Sequence, residues 1–258
     1  MQKIPRRVRE GRAGAAGEAG ASQAARSRLA GCAAPVRSTI ANLSSIGKEG
    51  QRSLSRACIG IAGLGGVGGI AFELLARSGV GSLKIADAGF FEESNANRQS
   101  LWSRENDGAR KTAAAVSFAE SIGARCKITA YGGITVSNSA AFASCCAAVI
   151  DATDTAFSRR QVFSGCKKLG VPYIFASARA HRGMLTVFIN RDFPPGFISG
   201  KSGSALPCDH ALGPVANAIG CLAAQQAMNI VLSKPAIAFP RALSLDAFSQ
   251  QAAVIHEF

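Results

Sequence analysis

The stretch that decides the fold is residues 60–99, GIAGLGGVGGIAFELLARSGVGSLKIADAGFFEESNANRQ. A short apolar run, residues 58–62, leads into Gly63, Gly65 and Gly68, which have the GxGxxG spacing, and an apolar helical segment follows. Strand, glycine turn and helix in this order favour a phosphate site, because the first turn of a helix offers free N–H groups and the positive end of its dipole. The turn therefore predicts nucleotide binding.

An acidic residue closes the second strand of this unit. The apolar residues 82–86 end at Asp87, and about 20 residues after the glycines an acidic side chain can accept hydrogen bonds from ribose hydroxyls. Glycine-rich turns also serve plain packing between a strand and a helix. The βαβ setting that ends in Asp87 favours the nucleotide interpretation.

A polar cluster after Asp87 separates phosphate chemistry from hydride chemistry. An NAD-dependent oxidoreductase requires little beyond the acidic residue at the strand end. Arg presents a planar fork to a terminal phosphate, Lys presents a point charge, and amides orient the chain. The cluster contains Asn95, Asn97, Arg98 and Gln99, with Lys111 on the next helix. A solvated polar loop is the alternative interpretation.

Beyond this unit the chain alternates strands and helices, which predicts a mostly parallel sheet covered on both faces. Ligands of such sheets bind at the carboxyl ends of the strands, where Gly63, Asp87, Asp154 and Arg179 fall. A loop over residues 190–210 is expected to be a mobile crossover near the substrate. The predicted strands span 58–62, 82–86, 127–131, 147–150 and 173–178, the helices 111–122 and 157–169, and a further strand, a long helix and a hairpin follow residue 183.

Several spaced motifs occur in the order found in one enzyme family. They are IGKEGQ (46–51), VIDATDTAFSRR (149–160), KKLGVPYIFASARAHRGMLTVF (167–188), ALGPVANAIGCLAAQQAMNIVLS (211–233) and ALSLDAFSQQAAVIHEF (242–258). With the glycine turn, they make the chain from about residue 38 onward resemble the ThiF/MoeB/HesA family of adenylating enzymes, relatives of the ubiquitin-activating enzymes. The resemblance implies a Rossmann-like, doubly wound α/β sheet with a C-terminal antiparallel extension.

The resemblance also implies roles for single residues. Arg98, Lys111 and Asp154 would be catalytic, with Asp154 helping to hold Mg²⁺ and Lys111 contacting the triphosphate of ATP. From the sequence alone, Asp151 could simply cap the next helix, and Arg159 could be structural. The family pattern assigns nucleotide binding to Gly63, Gly65, Gly66, Gly68, Asp87, Asn95 and Gln99.

The implied function is ATP- and Mg²⁺-dependent activation of a carboxylate as acyl-AMP. The carboxylate would be the C-terminal Gly-Gly of a small ubiquitin-like (β-grasp) sulfur carrier protein serving thiamine or molybdopterin synthesis, and a homodimer is expected. Relatives that modify peptides or tRNA use the same site. A nucleotide-binding pseudoenzyme and an NAD-dependent oxidoreductase also remain open.

The chain departs from the family pattern at three places. Thr39 stands where relatives usually carry an Arg that reaches the partner subunit's ATP, and Gly89 stands where an acid often lies. The two CxxC pairs that hold structural zinc in many members are absent, so no zinc is expected.

Two further features are candidates for substrate contact. Cys208, beside His210, is a candidate nucleophile, although an ordinary loop cysteine explains it too. Arg179, His181 and Arg182 form a basic patch that could bind an acidic substrate tail or be solvated.

Composition indicates a soluble, cytoplasmic protein without a membrane span. The net charge is +13, and eleven of the 29 Lys and Arg residues precede residue 57, against three Glu. Residues 1–36 are interpreted as a disordered basic leader or targeting segment, such as an organelle transit peptide, preceding one adenylation domain over residues 37–258. A solvated leader is favoured over a nucleic-acid-binding arm. Eight cysteines without CxxC pairs indicate reduced thiols, with Cys145 and Cys146 expected to be buried.

Overall fold

The computed structural model describes residues 37–198 and 211–258. The predicted leader, residues 1–36, and the candidate nucleophile Cys208 lie outside these ranges, as does the second half of the predicted crossover loop. Within these ranges, no helix combines the length and the apolar character that a membrane span requires.

The described residues form eight strands and six α-helices. The strands are β1 Cys58–Ala62, β2 Ser82–Ala86, β3 Lys127–Tyr131, β4 Ala148–Asp151, β5 Tyr173–Arg179, β6 Arg182–Phe188, β7 Arg241–Asp246 and β8 Ala253–Glu257. The helices are α1 Leu43–Arg56, α2 Gly66–Arg77, α3 Lys111–Ser121, α4 Ser139–Ala143, α5 Ala156–Leu169 and α6 Gly213–Val231.

All eight strands belong to one sheet in the order β3-β2-β1-β4-β5-β6-β7-β8. The first five in this order are parallel, and β6, β7 and β8 extend the sheet by antiparallel pairing. The predicted fold class, a doubly wound parallel sheet with an antiparallel C-terminal extension, is confirmed. The chain reverses its direction of growth between β1 and β4, and this switch point is where open α/β sheets bind ligands.

Apolar side chains cover both faces of the sheet. One core cluster includes Phe72, Leu75 and Ile219, and brings α2 and α6 onto the same face. The other includes Phe142, Val162 and Tyr173, and brings α4 and α5 onto the opposite face. Helices α2 and α6 lie very close together, since a Cβ added to Gly220 would fall 2.1 Å from Ile70 Cγ2 and 2.4 Å from the Val67 carbonyl oxygen.

Cys145 corrects one expectation from the sequence. Cys146 is buried as predicted, but Cys145 is exposed and has a left-handed backbone with φ of 58°. The chain must turn here to pass from α4 into β4, and this turn directs the two adjacent side chains to different environments.

Candidate active site

The glycine turn between β1 and α2 is packed too tightly for side chains at two positions. Gly63 has φ of +85°, and a Cβ there would lie 2.7 Å from the Ala152 carbonyl oxygen in the β4–α5 loop. A Cβ on Gly68 would lie 1.8 Å from the Gly63 carbonyl oxygen. Gly68 thus permits the turn itself to fold back, besides the helix packing expected from the sequence.

Gly65 and the start of α2 have a different environment. Among the described residues, none would come closer to a Cβ on Gly65 than Gln99 Nε2, at 4.0 Å, and none of their side chains caps α2. The uncapped amino terminus leaves backbone N–H groups and the dipole available to an anion. The space over Gly65 therefore fits the approach of a phosphate.

Asp87 fastens the end of β2 to the glycine turn. Its two carboxylate oxygens accept hydrogen bonds from the backbone N–H groups of Leu64 (2.6 Å) and Gly89 (2.7 Å). Lys111 and Asp87 both lie close to Gly89. A Cβ on Gly89 would be 3.7 Å from Lys111 Nζ and 3.0 Å from Asp87 Oδ1. A carboxylate can accept about four hydrogen bonds. The two backbone hydrogen bonds therefore leave Asp87 able to accept the predicted hydrogen bonds from a ribose.

The polar cluster after β2 folds over this turn. Arg98 Nη1 donates to the Ser94 carbonyl oxygen (2.9 Å) and to Asn97 Oδ1 (2.8 Å). Burial lowers the pKa of Arg98; the guanidinium nonetheless stays charged. The Arg98 carbonyl oxygen would be 3.0 Å from a Cβ on Gly66, which places Arg98 beside the first turn of α2.

Two amides of the cluster are buried, and they differ in their partners. Asn95 is held in a short turn, where its Oδ1 accepts from the Glu92 N–H and its Nδ2 donates to Ser94 Oγ. Gln99 is 6% exposed, and its Oε1 has no hydrogen-bond partner among the described residues. An unpaired buried polar atom costs about 1–3 kcal/mol. A bound ligand that supplies a donor would remove this cost, so Gln99 fits a nucleotide site.

The two acids after β4 have opposite environments. Asp151 is fully buried and accepts hydrogen bonds from the Thr153 N–H, from Thr153 Oγ1 and from the Tyr173 hydroxyl. Burial and the nearby Asp151 carboxylate raise the pKa of Tyr173. Asp154 is exposed, and none of its oxygens has a hydrogen-bond or ion-pair partner within the described ranges, which leaves it available to a metal-bound nucleotide. Ala152, two residues before Asp154, packs against the glycine turn, so Asp154 lies on the loop that borders this turn.

Asp151 does not cap helix α5, and Arg159 is buried beside it. Helix α5 is capped by Thr155, whose Oγ1 accepts from the Ser158 N–H at 3.1 Å, so the capping interpretation of Asp151 is wrong. Arg159 is structural, as one interpretation held. Its guanidinium is buried against the Phe175 ring at 4.2 Å and donates to the Asp151 and Ala176 carbonyl oxygens.

Two residues that the sequence did not single out complete the site. Asn217 on α6, with its amide nitrogen facing the loop, donates to the carbonyl oxygens of Gly66 (3.2 Å) and Arg98 (3.3 Å). Trp102 donates its backbone N–H to the Gln99 carbonyl oxygen and its indole Nε1 to Asp107 Oδ1, both at 3.0 Å. Asn217 belongs to the family-like segment 211–233, but its contact with the glycine turn requires the packing of α6 on α2.

The basic patch lies at the hairpin between β5 and β6 and is partly neutralised. Arg182 Nε donates to Asp246 Oδ2 at 3.0 Å, and His181 Nε2 lies 3.8 Å from Asp246 Oδ1. The Phe248 N–H, followed by Arg182 and His181, lowers the pKa of Asp246. A cavity of about 420 Å³ opens here, lined by Ser177, Arg179, Arg182, Met184, Ser244 and Asp246.

Thr39 is buried within the domain. Its side chain is 3% exposed, and its Cγ2 would lie 2.9 Å from a Cβ on Gly79. The position that carries an Arg in relatives is thus part of the packing between the start of the domain and the α2–β2 turn.

The model of the ThiF family matches residues 37–257. The chain belongs to the ThiF family. The molybdopterin-synthase adenylyltransferase of Salmonella typhimurium is 32% identical over 169 residues, which cover 62% of this chain and 67% of that protein. The adenylyltransferase and sulfurtransferase uba4 of Aspergillus fumigatus is 29% identical over 196 residues, covering 68% of this chain and 39% of uba4. This ThiF-family chain therefore spans well under half the length of the uba4 relative.

Solved structures agree on the fold. E. coli MccB, in a crystal structure with MccA, superposes with a TM-score of 0.70 at 17% identity, covering 81% of this chain and 66% of MccB. E. coli TcdA, a tRNA N6-threonylcarbamoyladenosine dehydratase in complex with AMP, gives a TM-score of 0.63 at 19% identity, covering 75% of this chain and 93% of TcdA. At these identities the likeness concerns the fold alone.

Proposed function

We propose that this chain is an ATP- and Mg²⁺-dependent adenylyltransferase that activates a carboxylate as an acyl-adenylate. The observation that carries the proposal is the arrangement at the carboxyl ends of the strands: among the described residues, no side chain caps α2, none comes closer than 4.0 Å to a Cβ on Gly65, Arg98 lies beside Gly66, and Gln99 Oε1 is buried without a partner. Membership of the ThiF family and the adenylyltransferase names of two relatives support it.

The site residues serve charge neutralisation and positioning. A substrate carboxylate oxygen attacks the α-phosphorus of ATP, the bond to the β-phosphate oxygen breaks, and pyrophosphate leaves. Because the attacking carboxylate is already ionised, the reaction needs positioned positive charge more than a base. Arg98 and Lys111 supply that charge, and the N–H groups of the glycine turn hold the phosphates.

Asp154 is the acid proposed to bind Mg²⁺. Mg²⁺ usually binds through one or two carboxylates together with substrate phosphates. Asp154 is an exposed carboxylate on the loop that borders the glycine turn, and it has no hydrogen-bond or ion-pair partner within residues 37–198 and 211–258. The ion would neutralise phosphate charge during the displacement.

The acyl substrate is proposed to be the C-terminal Gly-Gly of a ubiquitin-like sulfur carrier. Support comes from the Salmonella relative, which is named a molybdopterin-synthase adenylyltransferase. A homodimer and a cytoplasmic location belong to the same proposal, and Cys208 stays a predicted nucleophile for a later step. The fold likeness to the tRNA dehydratase TcdA keeps tRNA as the second candidate substrate.

The test is ATP–pyrophosphate exchange with purified full-length protein and Mg²⁺, in the presence of single carrier proteins ending in Gly-Gly, peptides or bulk tRNA. Exchange that depends on one carrier supports both the chemistry and the partner. Exchange that depends only on tRNA or a peptide supports adenylation, but it identifies that molecule as the substrate in place of a carrier protein. ATP binding without exchange under any of these conditions would instead identify a pseudoenzyme.

A further inference from the structure

Two cysteines face each other at the amino ends of two central strands, at the end of the sheet opposite the candidate active site. Cys58 is the first residue of β1, and Cys146 lies just before β4. Their Sγ atoms are 3.8 Å apart, and the Ala147 N–H donates to the Cys58 carbonyl oxygen at 2.7 Å. Because both residues lie at the amino ends of parallel strands, neither borders the glycine turn. The adenylation chemistry therefore leaves this pair unused.

The two thiols have unequal environments. Cys146 is buried, and its Sγ also contacts the Phe142 carbonyl oxygen at 3.4 Å, whereas Cys58 is only half-buried. The hydrogen bond from Cys146, assisted by the charge of Lys84 and opposed by burial, lowers the pKa of Cys58 to about 7. The same contact, together with burial, raises the pKa of Cys146.

Lys84 lies on the neighbouring strand β2, two residues beyond Ser82, which pairs with Cys58. Its Nζ donates to the carbonyl oxygens of Ala141 (2.8 Å) and Ser144 (2.7 Å), and to Ser144 Oγ (3.1 Å). A fixed ammonium next to a half-buried thiol favours the thiolate, which is the reactive form of cysteine. The pair thus combines an accessible nucleophilic thiol with a buried thiol within reach.

We propose that Cys58 and Cys146 are a peroxide-sensitive thiol pair that forms a reversible disulfide. The Cys58 thiolate attacks one oxygen of hydrogen peroxide, the O–O bond breaks, and the departing hydroxide takes a proton to become water, which leaves a sulfenic acid on Cys58. The Cys146 sulfur then attacks the Cys58 sulfur, the S–O bond breaks, and the Cys146 proton leaves with the hydroxyl group as a second water. The two thiols lose two electrons, which reduce the peroxide to water.

The geometry requires only a short movement. A disulfide has an S–S length of about 2 Å, so the sulfurs must approach by roughly that distance from their 3.8 Å separation. Cys58 is the first residue of β1, and Cys146 lies in the turn between α4 and β4.

The test is peptide mapping of the full-length protein after one equivalent of hydrogen peroxide and alkylation of the remaining thiols. We expect a disulfide-linked pair of peptides that contains Cys58 and Cys146 and disappears on treatment with a reducing thiol. Cys145→Ser is the matched control, since Cys145 is adjacent and exposed, and this variant is expected to form the same link. In Cys146→Ser, Cys58 is expected to accumulate as a sulfenic acid that a dimedone reagent captures.

Mapping of the unmodified chain decides the proposal even if a variant fails to fold. Separate alkylation of Cys58 and Cys146 after peroxide treatment, or a link that joins Cys58 to another cysteine, would overturn it. Loss of the Cys58–Cys146 link in the Cys145→Ser protein would overturn it as well, because the electrons would then come from Cys145.

Discussion

Gly65 and Gly68 lie three residues apart in one turn, yet different constraints apply to them. Gly68 faces the Gly63 carbonyl oxygen at a distance no side chain permits, whereas no part of the described chain would come closer than 4.0 Å to a Cβ on Gly65. A glycine that the fold requires and a glycine that a ligand requires can therefore be separated by experiment.

Gly68→Ala is expected to lower the free energy of unfolding by about 3 kcal/mol, because the added methyl group forces the turn apart. Gly65→Ala is expected to change it by less than about 1 kcal/mol, while weakening ATP binding at least about tenfold by occupying the space for phosphate. Urea unfolding and calorimetric titration with ATP measure the two effects. Unchanged ATP affinity in Gly65→Ala would remove this residue from the nucleotide site.

The acids after β4 give a second contrast between single residues. Asp154→Ala is expected to retain the stability of the parent, because Asp154 is exposed and unpaired within the described residues, and to lose exchange activity about 100-fold or more. Retained activity would exclude Asp154 from the mechanism.

Asp151→Asn is the matched variant at the buried position. It is expected to destabilise the fold by about 3 kcal/mol, because it removes the charge beside Arg159 and disturbs the Tyr173 contact. Urea unfolding measures the change. A stability equal to that of the parent would show that the buried network contributes little.

At the scale of elements, local patterns predicted the strands well and two helices not at all. The predicted bounds of β1, β2 and β3 match the structure. β1 and β2 are short apolar runs ended by Gly or Asp, which mark buried parallel strands, whereas β3 is an edge strand with three of its five residues exposed. Helix α1 was missed since Gly47, with φ of +68°, interrupts it, and α4 since its five residues merge with the apolar run into β4. Contacts such as Asn217 with the glycine turn depend on the packing of distant helices, which no local pattern encodes.

The close approach of α2 and α6 supplies a prediction at this scale. Gly220→Ala is expected to destabilise the protein by about 1–3 kcal/mol, since the methyl group would overlap both Ile70 and the Val67 carbonyl oxygen. Ile70→Ala in the same chain should relieve only part of this cost, because the backbone oxygen remains. Full recovery in the double variant, measured by urea unfolding, would show that the side chain alone sets the distance between the helices.

At the scale of the whole molecule, both core clusters are built on one sheet, so a ligand bound at the sheet edge stabilises the whole domain. ATP with Mg²⁺ at about 100 times its Kd is expected to raise Tm by roughly 5–10 °C. NAD⁺ is expected to raise Tm less than ATP does, because it has no terminal phosphate for Arg98 and Lys111 to contact. Stabilisation by NAD⁺ and not by ATP would favour the oxidoreductase.

The contacts of Trp102 make it an intrinsic fluorescence probe for the candidate active site. It is the one tryptophan in the sequence, and it is hydrogen-bonded to the backbone of Gln99, whose buried side-chain Oε1 has no hydrogen-bond partner in the part of the chain that the structure describes. Its emission should therefore shift when ATP is added, and stopped-flow fluorescence would follow nucleotide entry in the unlabelled chain. Every other aromatic emitter in the protein is a phenylalanine or one of two tyrosines, so the signal at long wavelength comes from this segment alone.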